Sequence, residues 1–408
     1  MRPLRTAQAE VLGALETLPV GRVSISDALG LALATAVVAP HPVPPFTNSA
    51  MDGFAVRAGD LTSTPIDLRV VEDVPAGRVA TRPVTPGTAI KIMTGAPLPN
   101  GADAVVRVED TTQNGETVTI QVGVAPGTAV RLAGGDVEAG AKVISAGTRL
   151  TPAHIGVLAN LGIAEATVIR RPRVALASTG DELVPVGGPR LGPGQIRDSN
   201  RPMLAALLSE LGAVVVDLGR IPDDAAALAD AIAGGAETAD ALVTSGGVSM
   251  GEYDLVKEVL GALGNVEFWQ VAMQPAKPFA FGKVGGRPFF GLPGNPVSSM
   301  VAFEQFVRPG LLKMMGSRRL FRPRIAGRTK VALATDPEKT VFVRVRTWME
   351  GEIRWSEPSG GQSSNVLSAV AAGDGFAVVP EGTGRVETGE SVMLEMFRWP
   401  EERGFDER

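Results

Sequence analysis

Short apolar runs alternate with segments of helical periodicity between residues 173 and 316. The runs predict strands at 173–178, 213–219, 240–245, 266–272 and 287–294, and the periodic segments predict helices at 200–211, 223–235, 252–263 and 295–316. Asn200 and Asn295 are the expected N-caps of the first and last helices, with prolines in their first turns. Strands that alternate with helices are typical of a doubly wound, mostly parallel sheet. The pattern therefore predicts a central α/β domain over residues 168–316.

The segments on either side of this block have a different pattern. Residues 46–137 contain short alternating runs between Gly and Pro, with an Asn-Gly turn inside 112–117, which predicts an all-β domain. Residues 322–400 also consist of short strands and predict a C-terminal β-barrel domain over 317–408. Helical periodicity at 6–38 and at 151–163 predicts a helical N-terminal domain split into 1–45 and 138–167. The all-β domain is therefore expected to be an insertion between the two halves.

Composition and charge narrow the possible functions. The chain has 408 residues, enough for several domains, and its net charge of −5 argues against sequence-independent binding to nucleic acid. The absence of cysteine excludes disulfides, thiolate nucleophiles and zinc-thiolate sites. No apolar run is as long as a membrane span, and the first residues resemble an amphipathic helix more than a signal peptide. We therefore expect a soluble, cytoplasmic protein.

The segment TSGGVSMGEYD, residues 244–254, matches two different chemical patterns. Residues 247–251 fit the G-x-S-x-G turn of α/β-hydrolases, in which a histidine base follows the nucleophilic serine in the chain. The two histidines are His41 and His154, and both precede Ser249, which excludes the hydrolase interpretation. Gly246 and Gly247 beside serine hydroxyls also fit a phosphate-binding loop, although the two glycines alone are equally compatible with a plain turn.

Charged or small polar residues follow every predicted strand of the central domain, at the edge where open α/β sheets bind ligands. They are Asp181 and Glu182, Asp223 and Asp224, the TSGGVSMGEYD loop with Asp254, Lys277, and the GLPGNP turn. Each of them alone would also fit a helix cap or an exposed charge. Carboxylates repel ligand phosphates unless a cation lies between them, and with so few histidines that cation is expected to be Mg²⁺. The sequence predicts a site for a phosphorylated ligand with carboxylate-bound Mg²⁺.

A series of motifs resembles those of the molybdopterin molybdenumtransferase family, which includes bacterial MoeA and the E domain of gephyrin. The motifs are PPFTNSAMDGFAV (44–56), IMTGAPLPNGADAVVRVED (92–110), STGDEL (178–183), GQIRDSN (194–200), TSGGVSMGEYD (244–254), MQPAKPFAFG (273–282) and GLPGNPVSS (291–299). The resemblance implies the four-part architecture predicted above and a homodimer whose active cleft includes the inserted β domain of the other subunit. It also implies that molybdate enters adenylylated molybdopterin with the help of Mg²⁺, releasing AMP and forming the molybdenum cofactor.

The matching motifs also imply roles for individual residues. The expected catalytic residues are Asp52, Thr94, Asp136, Glu182, Asp223 and Asp254; Asp52 and Thr94 would come from the partner subunit, and the last three would surround the metal and phosphate. The expected pterin or phosphate contacts are Asp198, Ser199, Ser245, Gly246, Gly247 and Ser249. Further substrate contacts are Pro293 and Pro296, and the molybdate pocket is expected to contain Lys277, Ser298, Arg344 and Ser364.

One position departs from the family pattern, and some alternatives stay open. Many members have Lys-Pro-Gly-Lys-Pro where this chain has Gln274 at the first position, which removes a positive charge from the anion pocket. A tungstate-inserting paralogue and a gephyrin-like scaffold are the alternative functions. Adenylyltransferases and competence-damage enzymes share the central domain but lack the flanking domains. The adenylyltransferase that supplies the substrate is an expected partner, whereas nucleic acid and membranes are not.

Overall fold

The structure, a computed structural model, describes residues 1–247 and 255–399, without the side chain of Leu255. The α-helices in this part of the chain are α1 (Leu4–Gly13), α2 (Pro152–Asn160), α3 (Asn200–Leu211), α4 (Ala225–Thr238), α5 (Leu255–Leu263), α6 (Pro296–Ala302), α7 (Arg308–Met314) and α8 (Leu367–Ala371). A π-helical turn, Phe303–Val307, joins α6 to α7. The first residues of the helix predicted over 252–263 lie outside the described residues.

The strands fall into three groups along the chain. Up to residue 172 they are β1 (Val20–Ser24), β2 (Val37–Val38), β3 (Asn48–Ser49), β4 (Gly53–Val56), β5 (Ile66–Val74), β6 (Thr88–Ile92), β7 (Ala104–Arg107), β8 (Thr111–Asn114), β9 (Thr117–Ile120), β10 (Val130–Arg131), β11 (Lys142–Ile144) and β12 (Glu165–Ile169). The next are β13 (Arg173–Thr179), β14 (Leu183–Val184), β15 (Ile196–Arg197), β16 (Val214–Ile221), β17 (Ala241–Ser245), β18 (Gly264–Gln270), β19 (Met273–Gln274), β20 (Pro278–Val284) and β21 (Arg287–Leu292). The last are β22 (Arg324–Thr329), β23 (Leu333–Ala334), β24 (Thr340–Glu350), β25 (Ile353–Pro358), β26 (Gly375–Val379), β27 (Arg385–Val386) and β28 (Ser391–Met396).

The central domain contains the predicted doubly wound sheet. Its strand order is β16-β13-β17-β21-β20-β18, and the first four strands are parallel. β20 is antiparallel to both of its neighbours, so β18 points in the same direction as the parallel strands. One apolar cluster joins the sheet to α3, α6 and α7, and a second joins its other face to α4 and α5. The carboxyl ends of all predicted strands therefore meet at one edge, as the sequence indicated.

The reversed strand β20 was not predicted, because its residues were interpreted as part of a loop. Gly285 and Gly286 both have positive φ, 53° and 76°, and join β20 to β21 as a hairpin. A Gly-Gly pair between two apolar runs is a recognised hairpin signal, so this strand could have been found from the sequence.

The N-terminal region has less helix than predicted. Helix α1 ends at Gly13, and residues 20–24 and 37–38 form β1 and β2, which pair with β12 and β11. The prediction of helix across 6–38 was therefore wrong beyond Gly13, since Pro19 cannot continue a hydrogen-bonded helix and the Val-rich stretch after it pairs with another strand instead. The second helical piece is confirmed as α2. Thr151 caps it, accepting the His154 N–H while the His154 ring accepts the Thr151 N–H at 3.1 Å.

Helix α1 packs on the central domain. Leu4, Ala7 and Val11 are buried in the same apolar cluster as the central sheet and helices, and the Leu18 N–H donates to the Met314 carbonyl at 2.8 Å. The predicted N-terminal domain, residues 1–45, therefore includes a helix, α1, whose apolar face packs against the central domain. The domain boundaries otherwise stay predictions.

The inserted segment folds as the predicted all-β domain. Six strands form a sheet in the order β7-β4-β6-β5-β9-β8. Phe54 and Ala55, adjacent in β4, are buried in two different apolar clusters, so both faces of the sheet are covered. Gly115, with φ of 61°, makes the predicted Asn-Gly turn between β8 and β9.

The C-terminal strands close into the predicted barrel. β24, β25, β22, β28 and β26 are neighbours in that order, and pairing of β24 with β26 closes the ring. The short strand β19 of the central domain pairs with β24 from outside, with Met273 opposite Thr340. This contact places residues 273–278 against the barrel. Among residues 1–247 and 255–399, no helix is both long and apolar enough to cross a lipid bilayer.

Candidate active site

A network of buried polar side chains lies at the carboxyl edge of the central sheet. Ser178, at the end of β13, donates its hydroxyl to Asp198 Oδ2 at 2.7 Å, and Arg201 Nε donates to the same oxygen at 3.0 Å. Asn200 Nδ2 donates to Ser245 Oγ at 2.8 Å. Asp198 and Ser245 were predicted to contact substrate, but they are only 1% and 2% exposed. Their observed contacts within the protein hold the loops of this edge together.

The N-terminus of α3 differs slightly from the prediction. Ser199, and not Asn200, is the N-cap residue, and its side chain is exposed and makes no capping bond. Asn200 is the first residue of the helix because its amide is committed to Ser245 Oγ and, at 2.7 Å, to the Gly294 carbonyl. Ser199 therefore presents an exposed hydroxyl at the N-terminus of α3.

Gly246 and Gly247 occupy positions that require glycine. Their φ angles are 97° and 67°, in the left-handed region. A Cβ on Gly246 would lie 2.7 Å from the Thr179 carbonyl oxygen, and one on Gly247 would lie 2.1 Å from Val256 Cγ2. The Gly246 N–H donates to the Leu292 carbonyl at 3.0 Å. These contacts fix the start of the loop, whereas Ser249 and Asp254 lie outside the described residues.

The carboxylates after β13 and β16 lie on two loops that touch. The backbone N–H of Asp181 faces an Asp223 carboxylate oxygen at 3.4 Å, and the Asp223 N–H faces an Asp181 carboxylate oxygen at 3.4 Å. The Glu182 carboxylate folds back over Gly180, where a Cβ would lie 2.3 Å from Oε2. Asp224 caps α4 by accepting the Ala227 N–H at 2.8 Å. Glu182 and Asp223 are therefore exposed acids on neighbouring loops, and Asp224 has a structural role.

The predicted metal set is only partly within the described residues. In the described part of the chain, no group of three or more His, Cys, Asp or Glu side chains is arranged to hold a metal ion. Glu182 and Asp223 are hard, exposed oxygen donors of the kind that Mg²⁺ takes one or two at a time, with water and substrate phosphate completing its shell. These two acids are therefore the described candidates for a substrate-dependent Mg²⁺ site. That site and the role of Asp254 stay predictions.

A cleft of about 600 Å³ lies between the central domain and the barrel. Three residues predicted for the molybdate pocket, Lys277, Ser298 and Ser364, line it together. They come from the segment before β20, from α6 and from the barrel, and the Val297 N–H donates to the Ser364 carbonyl at 3.1 Å, which ties two of these segments. The cleft is also lined by residues that were not predicted for a substrate site, among them Asn295, Lys339, Gln362 and Ser363.

The segment that carries Lys277 is held in a constrained conformation. The Val271 N–H donates to the Lys277 carbonyl at 2.8 Å. Ala276 has a φ of 77°, unusual for a residue with a Cβ, and it is only 3% exposed. Within the described residues, the Lys277 ammonium forms no ion pair. Lys277 therefore brings to the cleft, on a fixed backbone, an ammonium that has no ion-pair partner among the described residues.

Arg344 lies beneath the cleft. It is 2% exposed and donates from Nη2 to the carbonyls of Gly361 and Ser363 at 3.2 and 3.3 Å, while its Nε is buried without a partner. Its burial lowers the pKa of the Arg344 guanidinium to about 10. The expectation that Arg344 lines the pocket differs from what is observed, because its head group supports the loop before Ser364 from below.

Asp52 and Thr94 meet at the surface of the inserted domain. The Thr94 N–H and hydroxyl both donate to Asp52 Oδ1 at 2.7 Å. The backbone bond from Thr94 is the largest cause of a lowered pKa of the Asp52 carboxyl, and the hydroxyl bond adds to it. Asp136 is exposed on a separate loop, where its N–H donates to the Val43 carbonyl at 3.0 Å. The structure thus places Asp52 and Thr94 together, whereas Asp136 lies on a separate loop.

Within the described residues, polar contacts do not join the inserted domain to the central domain of the same chain. In the portions 1–247 and 255–399, no hydrogen bond or ion pair joins residues 46–137 to residues 168–316. The Asp52–Thr94 pair and the Lys277 cleft are therefore two separate surfaces of one chain.

Three successive regions of the chain match models of known protein families. Residues 2–162 match the MoeA N-terminal region (domain I and II), residues 175–313 match a probable molybdopterin binding domain, and residues 326–397 match the MoeA C-terminal region (domain IV). These matches leave only short connecting and terminal segments outside.

Individual relatives are similar over almost the full length. A protein of Mycobacterium tuberculosis named molybdopterin molybdenumtransferase 2 is 41% identical over 382 residues, 91% of this chain and 94% of the relative. A molybdopterin molybdenumtransferase of Haemophilus influenzae is 39% identical over 378 residues, 92% of this chain and 93% of the relative. A crystal structure of the molybdopterin biosynthesis MoeA protein of Pyrococcus horikoshii superposes with a TM-score of 0.80 at 33% identity, covering 97% of this chain and 99% of that one. The chain therefore belongs to the molybdopterin molybdenumtransferase family, whose members are transferases of molybdenum cofactor biosynthesis.

Proposed function

We propose that this enzyme inserts molybdate into adenylylated molybdopterin, so that AMP is released and the molybdenum cofactor is formed in a Mg²⁺-dependent reaction. The observation that carries the proposal is the cleft in which Lys277, Ser298 and Ser364 converge from three separate segments. A tetrahedral dianion needs a cation and hydrogen-bond donors around it, and these side chains supply one ammonium and two hydroxyls.

The phosphate end of the substrate would bind at the neighbouring edge of the sheet. Glu182 and Asp223 would hold Mg²⁺ against the phosphates, which the metal neutralises when it is bound. Ser199 and the Gly246–Gly247 turn would contact the pterin or the phosphate. The support is that exposed carboxylates, an exposed hydroxyl and a glycine turn lie on adjacent loops of this edge.

One loop connects this edge to the cleft, so a single substrate can extend from one to the other. A Cβ on Gly294 would lie only 3.9 Å from Gly246 Cα, while the next residue, Asn295, lines the cleft. The Pro293 carbonyl accepts the hydroxyl of Ser245 at 3.4 Å and also that of Ser299. Because the loop contacts both regions, the dithiolene of a bound pterin would face the molybdate cleft while its phosphates stay near Gly246. Pro293 and Pro296 then act by shaping this loop.

The active site would be completed by a second copy of the chain. Asp52 and Thr94 form an exposed acidic pair that makes no polar contact with the central domain of its own chain, as far as the described residues extend. In a homodimer this pair, together with Asp136, would face the substrate bound by the partner. The cytoplasm is the proposed location, and the adenylyltransferase that makes the substrate is the proposed donor.

Incubation of the purified protein with adenylylated molybdopterin, Mg²⁺ and molybdate tests the proposed function. AMP should appear only when molybdate is present, and molybdenum should become bound to the pterin in equal amount. Tungstate in place of molybdate distinguishes the tungstate-inserting alternative. Intact adenylylated pterin after incubation with either oxyanion would overturn the proposal.

A further inference from the structure

The cleft that carries Lys277 contains a second lysine, Lys339, contributed by the barrel. Lys339 comes directly before β24, where Thr340 is paired in register with Met273. The Thr340 N–H donates to the Ala272 carbonyl at 3.0 Å. This pairing anchors Lys339 beside the segment that bears Lys277, although the two residues are 62 positions apart in the chain.

Lys339 is held by a carboxylate of its own turn. Its ammonium forms an ion pair with Asp336 Oδ2, and its side chain is 20% exposed. Asp336 Oδ1 accepts the Glu338 N–H at 3.0 Å, which fixes the carboxylate. The bond from Lys339 is the main cause of the lowered pKa of Asp336, and the charge of Lys277 also contributes to that lowering. Asp336 is therefore within electrostatic reach of both lysines.

Among the described residues that line the cleft, Lys277 and Lys339 are the cations. The other described side chains that line it are uncharged, including Gln274, which pairs with Val341, two positions after Lys339. The Arg344 guanidinium is occupied by carbonyls below the loop. Lys277 alone would leave half of the charge of a dianion uncompensated. Lys339 adds a second positive charge, which its ion pair with Asp336 partly offsets.

We propose that Lys339 is the second cation of this oxyanion cleft, held in place by Asp336 until a dianion enters and takes over the ammonium. The inference rests on the proposed function and names a further substrate-binding residue for it. It also predicts selectivity for charge, because a second lysine favours a tetrahedral dianion over a monoanion of similar shape.

Titration calorimetry with molybdate on the full-length protein tests this assignment. Lys339→Gln should weaken binding by about tenfold to a hundredfold, the loss expected for one charge-assisted contact, and Lys277→Gln should weaken it similarly. The matched control is Lys283→Gln, an exposed lysine on β20 whose loss should leave binding unchanged. Lys339→Gln should weaken the binding of the monoanion perrhenate less than it weakens the binding of molybdate.

A second pair of variants separates a direct contact from a change in local charge. Lys339→Gln leaves Asp336 unpaired, so the same substitution is also made in an Asp336→Asn background. In about 0.5 M salt, where interactions between separated exposed charges are screened within roughly 5 Å, Lys339→Gln should still weaken molybdate binding by about tenfold relative to Asp336→Asn alone. Equal affinities of these two proteins would overturn the proposal, since Lys339 would then serve only as the partner of Asp336.

Wild-type AMP release distinguishes failure of this inference from failure of the proposed function. If the wild type binds molybdate without releasing AMP, and Lys339→Gln weakens that binding, the assignment of Lys339 to the oxyanion cleft is retained and the proposed reaction is rejected. If the wild type releases AMP and Lys339→Gln has the same molybdate dependence, the reaction stands and Lys339 is refuted. A wild type that binds no molybdate contradicts both. Thermal unfolding of each variant verifies that the fold is retained.

Discussion

Thr94 donates both its backbone N–H and its hydroxyl to one oxygen of Asp52, each across 2.7 Å. Both residues are exposed, so this arrangement is not required to satisfy a buried group. It lowers the pKa of the Asp52 carboxyl and fixes its orientation on a surface that, among the described residues, has no polar contact with the central domain of its own chain. In the proposed homodimer this pair would act on the substrate bound by the partner.

Replacing Thr94 by Val removes the hydroxyl bond but keeps the backbone bond. The pKa of Asp52 should rise towards its ordinary value, because the hydroxyl favours the ionised carboxylate. Activity at pH 7 should change little through protonation, while the acidic limb of the AMP-release profile should move to higher pH. Any stability contributed by this bond is present above the ordinary pKa of Asp and is lost as the pH falls through the lowered pKa. NMR titration of Asp52 and a pH–rate profile measure both effects.

Thr119→Val is the matched control, because the Thr119 hydroxyl donates to Asp67 at 2.6 Å between the neighbouring strands β9 and β5 of the same domain. The acidic limb of the AMP-release profile of Thr119→Val should coincide with that of the wild type. An equal shift in both variants would show that the effect does not arise at Asp52.

Mixed dimers test whether the site is shared between subunits. Asp52→Ala and Glu182→Ala chains should each be inactive alone, since every site in these homodimers lacks one group. After random mixing, activity should recover to about one quarter of the wild-type value, because half of the dimers are mixed and each has one intact site. No recovery, with mixed dimers demonstrated by mass spectrometry, would show that Asp52 serves its own chain or no site.

Removal of Mg²⁺ tests the role of the exposed carboxylates. A chelator should abolish AMP release without changing the thermal midpoint of unfolding, and added Mg²⁺ should restore it. Asp223→Asn should raise the Mg²⁺ concentration for half activity by about tenfold or more, the loss of one charge-assisted contact. The neighbour Asp224 provides the control: it caps α4, and Asn caps a helix equally well, so Asp224→Asn should keep the Mg²⁺ dependence of the wild type. Full activity in the chelator would contradict the metal site.

Local patterns predicted much of the fold because many elements are determined by their own residues. Helix α3 spans the predicted residues 200–211, although its N-cap is Ser199 and not Asn200. It ends as the sequence indicated, since the apolar face at helical spacing stops before Gly212, whose φ of 93° suits a C-cap. The predicted helix beyond Gly13 was wrong because β1 and β2 are stabilised by partners more than a hundred residues away, which a local window cannot include.

The candidate site shows the same division between local and long-range information. Lys277, Ser298 and Ser364 were found through motifs, and the structure brings them into one cleft. Lys339 was missed because only the pairing of β19 with β24 places it there, and no motif contains it. Asp198 and Ser245 were predicted as substrate contacts, but both are buried through contacts with Ser178 and Asn200 that sequence spacing does not reveal.

The most direct measurement for the central claim is a molybdate titration of AMP release by Lys277→Ala, with Lys283→Ala as the control. Lys277 contributes an ammonium that has no ion-pair partner among the described residues, so its loss should raise the molybdate concentration for half activity by about tenfold to a hundredfold. Binding of adenylylated molybdopterin should change much less, since its phosphates would lie beside Gly246 and Mg²⁺. An unchanged molybdate dependence together with lost pterin binding would contradict the account and assign Lys277 to the pterin phosphate.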